Sequence, residues 1–231
     1  MRTEPVRIAL LGEESTGKTS LSLAMSEALG AHGQKVFTVT EKLREWCNHH
    51  GRTPEVHEQA HIAASQCEAI FSIPEGWVIA DTTPLMTAVY SDYIFQDKSL
   101  YDFALEYQSK FDATLLMGLD VAWVADGLQR DGVHVREPVD SLLRQALSQA
   151  NIAFKVVYGQ GQARVNAALM ALQDSLPPDL KSLLASLSLS QTQLQRENNQ
   201  FGLNQGRTAW RCDLCSDADC EHKLFSDLLK P

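Results

Sequence analysis

The chain has 231 residues, 44% of them hydrophobic and 21% charged, with 20 Lys and Arg against 29 Asp and Glu for a formal net charge of -9. That length suits one α/β domain plus an appendage, and no apolar stretch approaches the roughly 20 residues a membrane helix needs. The acidic balance argues against extended nucleic-acid binding, which needs a basic face to displace counterions from a phosphate backbone.

The N-terminus, "MRTEPVRIALLGEES", has too short an apolar run for a secretory signal and passes straight into a Gly-containing loop, so a cytoplasmic protein is expected. "VRIALLG" reads as a strand and is followed by Gly12, Glu13, Glu14, Ser15, Thr16, Gly17, Lys18, Thr19 and Ser20, which satisfy G-x-x-x-x-G-K-[ST] and open a helical periodicity at Leu21, Ala24, Met25 and Ala28. Backbone N–H groups and a helix N-terminus then face phosphates, Lys18 neutralises the β/γ charge, and the Thr19 hydroxyl is placed to ligate magnesium. The same loop serves small-molecule kinases, signalling GTPases and mechanical ATPases.

A second strand, "KVFTVTE", ends beside "EKLREW", in which Glu41 and Arg44 lie one helical turn apart. A carboxylate there can orient or deprotonate an acceptor hydroxyl and an Arg can hold an acidic group, or the two form only an intrahelical ion pair. The third strand, "WVIADTT", ends in Asp81, which suits an acid beside the magnesium, although "DTTP" also reads as a helix start. Thr82 occupies the place where a hydrolytic ATPase commonly carries a Glu, and no Asn-Lys-x-Asp guanine-reading stretch occurs. Both absences favour transfer to a bound acceptor.

"ATLLMGL" reads as the fourth strand, and "DVAWVADGLQRDGVHVRE" after it carries Asp120, Trp123, Asp126, Arg130 and Arg136 around two glycines. A long loop beside the site suits a lid that brings an arginine to the transferring phosphoryl group. "AFKVVYG" is the fifth strand. Strands alternating with helices predict a parallel sheet with helices on both faces, and ligands at the carboxyl ends of the strands. Cys47 and Cys67 read as reduced thiols, the first near a helix start and the second on a helix.

The pattern changes after residue 175, where "DSLPPDLKSLL" starts a new helix with the apolar stripe Leu180, Leu183, Leu184 and Leu187. A polar connection follows, and the chain ends in "WRCDLCSDADCEH". Cys212, Cys215, Cys220 and His222 there form C-x2-C-x4-C-x-H, a donor set that zinc accepts tetrahedrally, with Asp213, Asp217 or Asp219 as substitutes for one ligand. A structural zinc would staple a tail with too little core, and that tail is the expected docking point for a protein partner or a second copy. Residues 1–175 are thus expected as a P-loop NTPase-type domain and 176–231 as an appendage.

Over residues 6 to 174 the order "GEESTGKTSL", "EKLREW", "HIAASQCEA", "VIADTTPLMTAVY", "LLMGLDVAWVADGLQRD" and "GQGQARVNAA" resembles the NadR-like P-loop family, the ribosylnicotinamide kinase domain of bacterial NadR and its single-domain relatives. The resemblance implies an ATP- and magnesium-dependent kinase of a nucleoside-like acceptor, nicotinamide riboside first. It implies Lys18, Glu41, Asp81 and Arg130 as catalytic residues, and the loop with Arg136 and Arg164 as the nucleotide site. Glu41, Arg44, Asp81, Trp123 and Asp126 are implied as acceptor residues. The chain departs from the family's Asp-Thr-Asp at Asp81-Thr82-Thr83 and from its Asp-Gly-Leu-Arg at Gln129, with Arg130 one place later. The adenylyltransferase half of the bifunctional proteins has no counterpart before Gly12, which implies a kinase without that step. The alternative expectation is an ATP-binding regulatory module that docks a partner through the zinc tail.

Overall fold

The computed structural model describes residues 4–121, 133–178 and 180–187. Five strands, β1 (Val6–Leu11), β2 (Val36–Val39), β3 (Trp77–Asp81), β4 (Ala113–Met117) and β5 (Lys155–Val157), form one sheet in the order β2-β3-β1-β4-β5. Every pairing is parallel. The crossovers are helical: α1 (Lys18–Ala31), α2 (Lys42–His50) and α3 (Val56–Phe71), then α4 (Pro84–Phe95), α5 (Tyr101–Gln108), α6 (Arg136–Gln149) and α7 (Gly161–Ser175). This is the α/β fold expected from the alternation.

The three central strands are buried almost throughout, whereas the edge strands β2 and β5 are half exposed. Burial on both faces explains why β1, β3 and β4 read as continuous apolar runs rather than alternating ones. Side chains still alternate between faces. Ile8 and Leu10 of β1 join Leu115 and Met117 of β4 in a core with Met25 of α1 and Leu169 of α7. Ala9 and Leu11 join Leu116 in a second core with Leu85 of α4 and Leu143 of α6. A third, smaller core packs Ile70 of α3 against Val78 and Ala80.

Residue 178 and residues 180–187 are helical, and Leu184 and Leu187 are fully buried in the first core with Leu180 and Leu183 packed against it. The first compact unit accordingly runs from Met1 to Leu187, past the expected boundary at residue 175, because the leucine stripe finds its apolar partner on the sheet's own core. No helix among the described residues is long and apolar enough to cross a membrane. Cys47 and Cys67 are free and buried. Cys47 does not sit near a helix start as expected: it belongs to the last turns of α2, where its carbonyl accepts the Gly51 N–H that caps the helix.

Candidate functional site

The phosphate loop leaves β1 at Leu11 and enters α1 at Lys18 through Gly17, which caps the helix in the left-handed region at φ 78°. Gly12 has φ 140°, and a Cβ there would lie 3.0 Å from the Met117 Cβ, so the loop needs glycine at its start for both conformation and space. The Lys18 ammonium turns back over the loop and donates to the carbonyls of Gly12 at 2.8 Å and Glu13 at 2.9 Å. Thr16 donates to the Glu13 carbonyl at 2.5 Å, which tightens the turn.

Parallel pairing of β3 with β1 sets Asp81 opposite Leu10, level with the loop. Its Oδ2 accepts from the Thr19 hydroxyl at 2.5 Å, while its buried Oδ1 has no hydrogen-bond partner. A hydroxyl and a buried, half-satisfied carboxylate on one side of the loop are the donors magnesium takes. The helix start expected at "DTTP" is present. Asp81 goes to the loop, and Thr83 caps α4 by accepting the Leu85 N–H at 3.3 Å, with Pro84 at the first helical position. Between them Thr82 is held at φ 83°, where a β-branched residue is strained, and its buried hydroxyl has no partner.

Two arginines, carried by helices on opposite faces of the sheet, approach the loop. Arg164 of α7 is buried, donates to the Thr16 carbonyl, and donates to Asp120 Oδ1 at 2.6 Å. Asp120 also accepts the Gly159 N–H at 2.6 Å. Asp120 therefore latches the end of β4 to α7. Arg136, the first residue of α6, is buried and donates through Nη1 to the Val121 carbonyl at 2.9 Å. Its Nε and Nη2 have no partner, leaving buried cationic donors beside the loop. Glu13 lies among these groups, 2% exposed, with Oε1 unpartnered. Burial pushes its carboxyl up to about 7 against the attraction of Lys18 and Arg136.

Beyond the loop opens a cavity of about 680 Å³ bounded by α2, α3 and α4, with Glu14, Glu41, Arg44, Tyr90, Tyr93 and Gln59 among its walls. Glu41 caps α2 and pairs with Arg44 at 3.3 Å, so the ion pair and the cavity position are one arrangement. Cys47 shares this wall, and its thiol is pushed up chiefly by burial and then by the Glu41 and Glu14 carboxylates. Glu14 was expected only among the nucleotide-binding residues. Its place in the cavity wall joins the loop to a second compartment. Gln59, Tyr90 and Tyr93 were not singled out from sequence, since only the packing of α3 and α4 turns them inward. Trp123, Asp126 and Arg130, and the zinc set Cys212, Cys215, Cys220 and His222, lie outside the described residues. Among the described residues no group of His, Cys, Asp and Glu could hold a metal through three such side chains.

Solved structures share this architecture. A NadR protein in complex with NR superposes with a TM-score of 0.61 at 17% identity, covering 74% of this chain and 51% of that one. A NadR protein in complex with NAD and AMP-PNP gives 0.57 at 15% identity, with 74% and 49% covered. The chain thus spans about half the length of the NadR chains it matches, and it matches no curated protein sequence. At these identities the likeness is one of fold. The model of the AAA domain family matches residues 7–164, from β1 to the arginine that closes the loop, and the chain belongs to that family with the P-loop fold of NadR.

Proposed function

We propose that the chain is an ATP- and magnesium-dependent kinase that phosphorylates a hydroxyl of a nucleoside-like acceptor, with nicotinamide riboside the first candidate. The observation that carries this reading is the cavity joined to the phosphate loop by Glu14, roomy enough for a nucleoside and lined by carboxylates and tyrosines. A switch or a motor has no need of such a second compartment beside its γ-phosphate. Glu14, Glu41 and Glu55 outnumber Arg44 on its walls, which favours a neutral or cationic nucleoside over a nucleotide that already bears a phosphate.

Thr19 and Asp81 would hold the magnesium, which would supply positive charge against the phosphates of ATP. Lys18 exchanges the two loop carbonyls for phosphate oxygens, and the unpartnered donors of Arg136 face the same charge. Arg164 holds the loop by its backbone. Glu41, steadied by Arg44, accepts the acceptor's hydroxyl proton as the new O–P bond forms and the bond to ADP breaks. Trp123, Asp126 and Arg130 are proposed for the acceptor and the lid. A structural zinc on Cys212, Cys215, Cys220 and His222, a docking role for that tail and a cytoplasmic location complete the reading.

Incubating the protein with ATP, magnesium and a nucleoside panel headed by nicotinamide riboside tests it. Acceptor-dependent ADP release that Lys18→Ala abolishes is the expected result. Tight ATP binding without turnover of any acceptor would favour the regulatory module instead.

A further inference from the structure

Glu41 stands at the start of α2 without capping it. Its side chain makes no cap hydrogen bond and pairs with Arg44, so the first helical N–H, that of Lys42, needs an acceptor from elsewhere. Gln66 of α3 supplies one: the side chain is buried at 1% exposure, and its Oε1 accepts the Lys42 N–H at 2.7 Å. The other end of the same amide turns to the phosphate side, where Nε2 donates to the Thr82 carbonyl at 3.4 Å. Each partner is the residue directly after a carboxylate of the site, Lys42 after Glu41 and Thr82 after Asp81. Thr82 is also the β-branched residue held at φ 83°, a conformation that persists only where the surroundings fix it.

From these contacts we infer that Gln66 is a positioning residue that holds Glu41 in place relative to Asp81: its amide links the helix that presents the one to the strained turn that follows the other. The inference rests on reading Glu41 and Asp81 as the acceptor and metal carboxylates. A primary amide carries an acceptor and a donor on one rigid plane, so a displacement of either partner is passed to the other. The Thr82 contact is long for an amide donor, which leaves slack that closes when Asp81 and its turn are drawn to the loop. Phosphoryl transfer depends on how the acceptor's base and the phosphate site are set against each other, and a small misplacement is costly.

The test follows amide hydrogen exchange by mass spectrometry on the full-length chain, free and with magnesium and AMP-PNP. In the parent the nucleotide should slow exchange over the loop, residues 12–20, and by about tenfold or more at the start of α2, residues 42–46. Gln66→Met keeps the length of the side chain and removes both hydrogen bonds; Gln66→Asn keeps an amide that is too short to span both partners, and it reads the same link if the methionine variant does not fold. Both should bind AMP-PNP within about threefold of the parent and keep the slowing over the loop, yet lose it at α2. With an acceptor that turns over, both should lose about 10- to 100-fold in kcat with the KM for ATP within about threefold, a split that a merely structural glutamine would not produce. A parent that is protected at the loop and unchanged at α2, or slowing at α2 that persists in the variants, would overturn the inference and leave the kinase reading intact. Gln66-dependent slowing at α2 without phosphoryl transfer to any acceptor would sink the kinase and leave the link standing. No protection of the loop in the parent would overturn both.

Discussion

Asp81 and Thr83 stand two residues apart and act on different elements, one carboxylate turned to Thr19 across the sheet and one hydroxyl turned along α4. Replacing Asp81 by Asn keeps the shape and removes the charge, so ATP-dependent turnover of Asp81→Asn should demand a higher magnesium concentration than the parent. Lys18→Ala should cost about 10²- to 10³-fold in kcat/KM, the usual loss for one transition-state donor. Glu13 makes a pH prediction. Its carboxyl is raised from 4.5 to about 7 in the folded chain, so between those values the native state binds more protons than the unfolded one. Stability of the nucleotide-free protein then falls as pH rises through that window, and the penalty, on the order of 3 kcal/mol at most, is complete above it. Glu13→Gln should raise the Tm at pH 8 and leave it nearly unchanged at pH 4.5 in parallel thermal melts.

At the scale of elements, the loop and its strand were legible because they depend on local spacing: glycines where the chain turns, Lys18 and Thr19 at the mouth of α1. The arginines were legible only in part. Nothing in the spacing of Asp120, 44 residues before Arg164, announces their 2.6 Å contact, which follows from β4 and β5 being neighbours in the sheet. Asp120→Ala should leave a buried guanidinium half paired and lower stability by roughly 2 kcal/mol in denaturant titrations, below the ~3–5 of a fully enclosed pair because Asp120 keeps some water. The leucine stripe was read correctly as one helical face, but its partner was not visible. Leu184→Ala should lower stability by about 3 kcal/mol, as for a buried core leucine, whereas a helix independent of the core would tolerate it.

At the scale of the molecule, the acidic balance belongs partly to the cavity, whose walls gather carboxylates from the loop, α2 and the turn before α3. The tail adds a separate prediction. The purified chain should carry about one zinc, lost together with protection of its thiols when Cys212 and Cys215 are changed to Ser; freely titratable thiols and no zinc would remove that reading. Sequence alone determined the sheet, the phosphate loop and the acid at the end of β3, because strand burial and loop chemistry are written at spacings of one to eight residues. Tertiary structure decided what those spacings cannot carry. It set the Asp120–Arg164 latch and brought Glu14, Glu41, Gln59 and two tyrosines to one cavity, because each depends on which helices the parallel crossovers stack side by side.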